Sequence, residues 1–264
     1  MTTNEAPQVI STRDGAVSTI VLNAPERKNA LDGAGWVQLR DSLRAAEDDD
    51  QTRVVVITGA GGEFCAGAAV GGPRNRPHPL RSTQQIHEAA HALHTLTKPV
   101  VAKVRGVAVG AGWNIALGCD LIAADSTARF SQIFGKRGLS VDFGGTWALP
   151  RLVGLQQAKR LALLGEFIDA AEAHSMGLIA WTCPPDELDE LVDGVAGRLS
   201  AGPPIALAQT KALLNSSFDF THEQALDAEA RAQAINFATE DAPTARRAFQ
   251  DRTEPVFTGK WAVP

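Results

Sequence analysis

The stretch VAKVRGVAVGAGWNIALGCDLIAAD (Val101–Asp125) places two strand-like apolar runs around a glycine-punctuated helix start. A strand that ends at Gly110-Ala111-Gly112 and turns straight into a helix leaves that helix's first N–H groups without intrahelical partners. Those donors and the helix dipole together favour a negatively charged oxygen. The segment VVVITGAGGEFCAGA (Val54–Ala68) has the same design: a β-branched run, then a tight loop with small residues Ala66, Gly67 and Ala68 at its tip. It is not a dinucleotide-binding turn, because G-x-G-x-x-G counted from Gly59 requires glycine where Phe64 stands, and no Walker A pattern occurs. Small side chains let a ligand approach the backbone closely. Either turn alone reads as a packing turn. Brought together, the two make an oxyanion hole from backbone donors.

Outward from these turns, VISTRDGAVSTIVLN (Val9–Asn23) carries two β-rich runs split by Asp14-Gly15, a hairpin signal. Ala24–Asp32 reads as a loop leading into a helix that ends near Glu47, with Asp48–Asp50 as solvated surface at that end. Arg53–Gly59 is a buried strand, Ser82–Leu96 a helix, Pro99–Val104 a strand, and Asp120–Asp125 and Ala128–Gln132 two more strands. Beyond Gly145 the pattern is mostly helical, with one strand near Leu178–Thr182. Mixed elements followed by helices alone predict an α/β core with a helical C-terminal subdomain.

The chain has 264 residues, 44% hydrophobic and 21% charged, enough for one large globular domain. A net charge of −5 gives no reason to expect nucleic acid as a partner. The longest uncharged run, Gly106–Cys119, falls short of the roughly twenty apolar residues a membrane span needs. The start, MTTNEAPQVI, has neither the basic segment nor the apolar stretch of a secretory signal, and Cys65, Cys119 and Cys183 form no disulfide framework or zinc-ligand spacing. The expected setting is the cytoplasm, with no membrane partner.

In order along the chain, LNAPERKNALD (Leu22–Asp32), FCAGAAV (Phe64–Val70), GVAVGAGWNIALGCDLIAAD (Gly106–Asp125), GLSVDFGGTWALPRLVG (Gly138–Gly154), LLGEFIDAAEAHSMGLI (Leu163–Ile179) and FTGK (Phe257–Lys260) resemble the crotonase superfamily, the enoyl-CoA hydratase/isomerase family. The resemblance covers nearly the whole chain. It implies a spiral of β-β-α repeats over residues 1–200, and a helical C-terminal region over 201–264 that builds homotrimers, often paired as hexamers. It implies an acyl-coenzyme A thioester as substrate, coenzyme A being part of that substrate and no further cofactor or metal being required. The oxyanion donors map to the N–H groups of Ala68 and Ala111. Lys28 and Ala30 match the segment lining the coenzyme A pocket, and Ala66, Ala69 and Val70 would flank the pantetheine. Phe257 and Lys260 match a C-terminal element that reaches a neighbouring subunit's coenzyme A.

The two glutamates with which the family's hydratases position water fall here on Asn114 and Phe134, neither of which can act as a base. Asp142 instead matches the aspartate of isomerase branches, and its surroundings, VDFGGTWALPRLVGL, are most like those of the ring-epoxide phenylacetyl-CoA isomerase branch. An isomerase needs one group to take a proton from one carbon and return it to another. Desolvation by Val141, Phe143 and Trp147 is expected to raise the carboxyl's pKa. By residue type alone, Asp142 reads first as the N-cap of the helix beginning near Gly144, and the family match with its two missing glutamates turns the reading to a catalytic base. A weak hydratase and a non-catalytic acyl-CoA-binding scaffold are the other readings.

His87, His91 and His94 share a helix face, but H-E-x-x-x-H is one residue too long for a zincin. They are expected to be partly buried helix residues. Trp113 either lines the acyl pocket or packs in the core. Arg74, Arg76 and Arg81 are expected in a solvated loop, with contact to coenzyme A phosphates as the other reading, and the sequence suggests no histidine partner for Cys65.

Overall fold

The Asp14-Gly15 turn closes a hairpin in which β1 (Val9–Asp14) pairs antiparallel with β2 (Val17–Leu22), followed by α1 (Gly33–Asp48). This β-β-α unit then repeats. A second unit comprises β3 (Val54–Gly59), a bridge at Cys65 and α2 (Pro79–Thr95). A third comprises β4 (Val100–Val104), β5 (Val107–Val109) and α3 (Ala111–Leu117). A fourth comprises β6 (Leu121–Asp125), β7 (Arg129–Ser131) and α4 (Gly145–Leu164). After β8 (Ile168–Asp169), α5 (Ala170–Ser175), β9 (Trp181–Cys183) and α6 (Leu188–Ala201), the chain is helical: α7 (Pro204–Ser216), α8 (His222–Phe237) and α9 (Asp241–Asp251). The computed structural model describes residues 6–69 and 78–262.

The first strands of the units form one sheet in the order β1-β2-β3-β4-β6-β9, parallel after the opening hairpin. The second strands form another, β5-β7-β8, extended by bridges from Cys65 to Ala108 and from Ala68 to Leu31. This is the spiral the repeats predict.

The central strands β3, β4 and β6 are buried on both faces, so they read as largely apolar runs. Val55, Ile57, Val100 and Ala102 join Trp36, Leu39 and Leu43 of α1 in the main core. Val54, Val56 and Val101 alternate to the other face, against Leu188, Val192 and Val195 of α6. Asp32 caps α1 by accepting from the N–H groups of Ala34 (2.9 Å) and Gly35 (3.1 Å). Helices α7–α9 bury little within the chain: Leu214 is 66%, Phe237 66% and Phe249 87% exposed.

The strand expected over Leu178–Thr182 is instead β9, Trp181–Cys183; Leu178 and Ile179 are buried ahead of it. The histidines of α2 are exposed rather than partly buried, because the helix buries Ala89, Ala92 and Leu93, one stripe away from positions 87, 91 and 94. Among the described residues no helix is long and apolar enough to cross a membrane, and no cluster of three or more metal-ligating side chains forms.

Candidate active site

The segment after β3 is threaded between two others by its backbone. Phe64 N–H donates to Arg105 O (2.8 Å), Cys65 N–H to Val107 O (2.9 Å), and Cys65 O accepts from Val109 N–H (2.9 Å). On the opposite side Ala66 N–H donates to Lys28 O (2.9 Å), and Leu31 N–H to Gly67 O (2.9 Å). Both glycine-rich turns are thereby laid side by side. A Cβ added to Gly67, whose φ is +90°, would lie 2.8 Å from Val109 O and 3.2 Å from Ala111 N. Gly112 approaches as closely from the other turn, its own hypothetical Cβ landing on the Cys65 carbonyl and 2.8 Å from Cys65 Cβ. Only glycine permits both approaches.

Within this seam the N–H groups of Ala68, at the tip of the first turn, and of Ala111, the first residue of α3, have no protein acceptor among the described residues, and neither has that of Gly112 beside Ala111. The flanking groups are bonded: Gly67 N–H reaches Cys65 Sγ (3.3 Å), Ala69 N–H reaches Leu31 O (2.8 Å), and Gly110 N–H reaches Ser131 O (2.9 Å). Cys65 is completely buried, which pushes its thiol up to about 12; it holds the turn and is no nucleophile.

Asp142 is joined to the same short helix. Asn114, one turn along α3 from Ala111, donates from Nδ2 to Asp142 O at 2.9 Å. The Asp142 side chain does not cap α4: that helix begins after Gly144 with no side-chain cap, and Asp142 Oδ1 is buried without a hydrogen-bond partner. Burial pushes its pKa up to about 6, opposed by its own backbone N–H. Phe143 supports the loop from behind. It sits at φ +51° with its ring 5.7 Å from that of Trp36, so buried aromatic contact holds a backbone conformation that a non-glycine residue seldom adopts.

The other expected residues divide. Phe134 is buried, its ring 3.7 Å from where a Gly110 Cβ would be, so an apolar group backs the second turn. Ala30 is buried, while Ala66 and Ala69 are half-buried in the threaded segment. Lys28 lies beside them at φ +53°, its Nζ 2.9 Å from Glu63 Oε1, and Glu63 Oε2 accepts from Val107 N–H (2.6 Å). The left-handed Lys28-Asn29 backbone is secured by Asn29, whose Nδ2 donates to Ala60 O (2.8 Å) and Glu63 O (2.6 Å). Val70, Arg74 and Arg76 lie outside the described residues.

Trp113 is fully buried against Phe130 (5.5 Å between centroids), which is the packing alternative rather than the pocket-lining one. Trp147 has its own set of contacts. Its ring meets His94 edge-on at 5.1 Å and carries the Arg151 guanidinium at 4.1 Å, on the wall of a cavity of about 710 Å³ that also has Leu117, Phe143 and Leu214 in its lining. Ala68, Ala111 and Asp142 are not part of that wall. Phe257 and Lys260 are at the far end of β3: Arg53, just before the strand, donates to Phe257 O (2.9 Å), whereas the turn bearing Ala68 follows the strand's other end. Within one chain they do not join the site. Gln132, which the sequence reading passed over, is completely buried and donates from Nε2 to Asn114 Oδ1 at 2.7 Å. Its signal was a carboxamide inside the apolar run FSQIF.

The chain as a whole is similar to known proteins. Residues 12–260 match the family model described as Enoyl-CoA hydratase/isomerase. The chain is 36% identical to the 1,2-epoxyphenylacetyl-CoA isomerase of Escherichia coli (strain K12) over 261 residues, 96% of this chain and 98% of that protein. It is 32% identical to the crotonyl-CoA hydratase of Syntrophomonas wolfei over 255 residues, 96% of this chain and 98% of the relative. The crystal structure of an enoyl-CoA hydratase from Polaromonas sp. JS666 superposes with a TM-score of 0.90 at 33% identity, covering 95% of this chain and 99% of that one.

Proposed function

Because the chain belongs to the enoyl-CoA hydratase/isomerase family, whose members process acyl-CoA thioesters, we propose that it isomerises an unsaturated or ring-epoxide acyl-CoA, with Asp142 as the shuttling acid and base. The thioester oxygen lies between the N–H groups of Ala68 and Ala111. Asp142 takes the proton from the α-carbon of a β,γ-unsaturated thioester, and the electron pair of that C–H bond moves through the carbonyl onto oxygen as an enolate. The carboxyl then returns its proton at the γ-carbon, the double bond settles between the α- and β-carbons, and the enzyme is unchanged. Each preorganised donor aimed at the enolate oxygen is worth roughly 3–4 kcal/mol.

The observation that carries this reading is the half-buried Asp142, its Oδ1 enclosed without a hydrogen-bond partner and its backbone carbonyl tied to the helix that starts with the Ala111 N–H. A base raised to about 6 is ionised at neutral pH and still a stronger proton acceptor than a solvated carboxylate. The exposed apolar residues of α7–α9 support a trimer or hexamer, in which Phe257 and Lys260 would face a neighbour's coenzyme A.

Hydration is the second reading, favoured by the hydratase names among the relatives. It has to operate with one carboxylate, since Asn114 spends its amide on Asp142 O and Gln132, and Phe134 is apolar. One assay separates the readings. Incubation with a β,γ-unsaturated thioester is expected to raise the ultraviolet absorbance of the conjugated product, on an alkaline-rising limb with its midpoint near 6. Loss of absorbance from an α,β-unsaturated thioester, with no gain from the first substrate, overturns isomerisation in favour of hydration. Tight binding with neither change supports a scaffold.

A further inference from the structure

Asn114 and Gln132 are completely or almost completely buried carboxamides, and burying a carboxamide is costly except where its hydrogen bonds are made; both polar atoms of the Asn114 amide are bonded, whereas Gln132 bonds through Nε2 and leaves Oε1 without a protein partner. Their bonds run in one direction. Gln132 Nε2 donates to Asn114 Oδ1 (2.7 Å), which turns the Asn114 amide so that its Nδ2 faces, and donates to, Asp142 O (2.9 Å). The same carbonyl also accepts from Gly145 N–H at 3.0 Å. Space enforces the arrangement: a Cβ on Gly145 would lie 2.5 Å from both Asn114 Nδ2 and Oδ1, so the loop is seated directly on the amide.

We infer that Asn114 and Gln132 are a pair of positioning residues, which pin the backbone of Asp142 to α3 and so keep its carboxyl desolvated, with Oδ1 enclosed away from any donor. Neither touches the reacting atoms. They act through the Asp142 backbone, with Gln132 fixing which way Asn114 presents its amide. No charged group takes over this task. Helix α3 has no ionisable residue, and the loop 138–144 none besides Asp142. On the flanking elements Lys136 and Arg137 are exposed and Arg151 is stacked on Trp147. Arg40 of α1, the helix that places Trp36 on Phe143, is paired with Asp41 and Glu88.

The consequence for turnover rests on Asp142 being the base; the consequence for the carboxyl itself does not. The test therefore follows the carboxyl directly, by infrared titration of the protonated C=O band that is lost in Asp142→Asn. Gln132→Met keeps size and removes only the amide; Asn114→Ala removes the bond to Asp142 O. With the loop released and the carboxyl solvated, the midpoint is expected to fall from about 6 toward the ordinary carboxylate value of about 4 in Asn114→Ala, and in the same direction by less in Gln132→Met. In parallel, kcat is expected to drop about ten- to a hundred-fold in Asn114→Ala, with KM within about twofold. A purely structural role would lower the melting temperature of both variants and leave the midpoint where it was, which overturns the inference. A shift in Asn114→Ala alone overturns the part assigned to Gln132. Should Asp142→Asn retain full turnover, the assignment of the base fails, yet the midpoints still decide what holds the carboxyl.

Discussion

Asp142→Asn is expected to lower isomerase turnover by about a thousand-fold while thioester binding stays within about twofold, because it removes the proton carrier and leaves the amides of Ala68 and Ala111 in place. The same change is expected to stabilise the protein at high pH. The folded carboxyl titrates at about 6 against 3.8 for the free group, so between those values the native state holds a proton that the unfolded chain has released. Its favourable contribution is complete below about pH 4 and is lost as pH rises through 6; above that, a buried carboxylate is a cost. Two units correspond to about 3 kcal/mol, which partial solvent access reduces to about 1–2 kcal/mol. Asparagine carries no such charge, so its melting temperature at pH 8 should exceed that of the native protein by about 3–5 °C, with the two alike at pH 4. Steady-state kinetics and calorimetry at both pH values check this. Equal melting at pH 8, or undiminished turnover, removes Asp142 from the role of a buried base.

Such a group is legible in sequence only in part. The apolar setting of Asp142 marked it, but residue type could not separate a base from a helix cap. The separation came from geometry, with α4 beginning at Gly145 and Oδ1 left without a donor. The strands of the large sheet were readable because burial on both faces, as in Val54–Ile57, leaves an unbroken apolar run. The β8 strand was not, since two residues carry no periodicity and it exists only through its pairing with β7. Trp147 stands close to Asp142 in sequence, yet the first turn of α4 swings it onto His94 and Arg151. Gln132 was missed for the converse reason: its partner Asn114 is on another unit of the spiral.

The seam between the two glycine-rich turns makes the sharper demand on sequence, and Gly112→Ala probes it with a single methyl group. That methyl would land on the Cys65 carbonyl, which is itself fixed by Val109 N–H at 2.9 Å, and so has no flexible side chain to push aside. Something in the backbone has to move, and the movement available is separation of α3 from the strand at Cys65. Such a separation draws the Ala111 N–H away from the Ala68 N–H. Losing one donor of an oxyanion pair costs about a hundred- to a thousand-fold in kcat, so a drop of that size is expected, with weaker thioester binding as well. Gly194→Ala supplies the comparison, because a Cβ there, within α6, meets nothing within 4 Å. It should leave turnover intact and stabilise the fold by about 0.5–1 kcal/mol through the lower chain entropy of alanine. Turnover of both variants on the same β,γ-unsaturated thioester, alongside their melting temperatures, provides the measurement. If Gly112→Ala folds and turns over at the native rate, the amides of Ala68 and Ala111 are not the pair that holds the enolate oxygen.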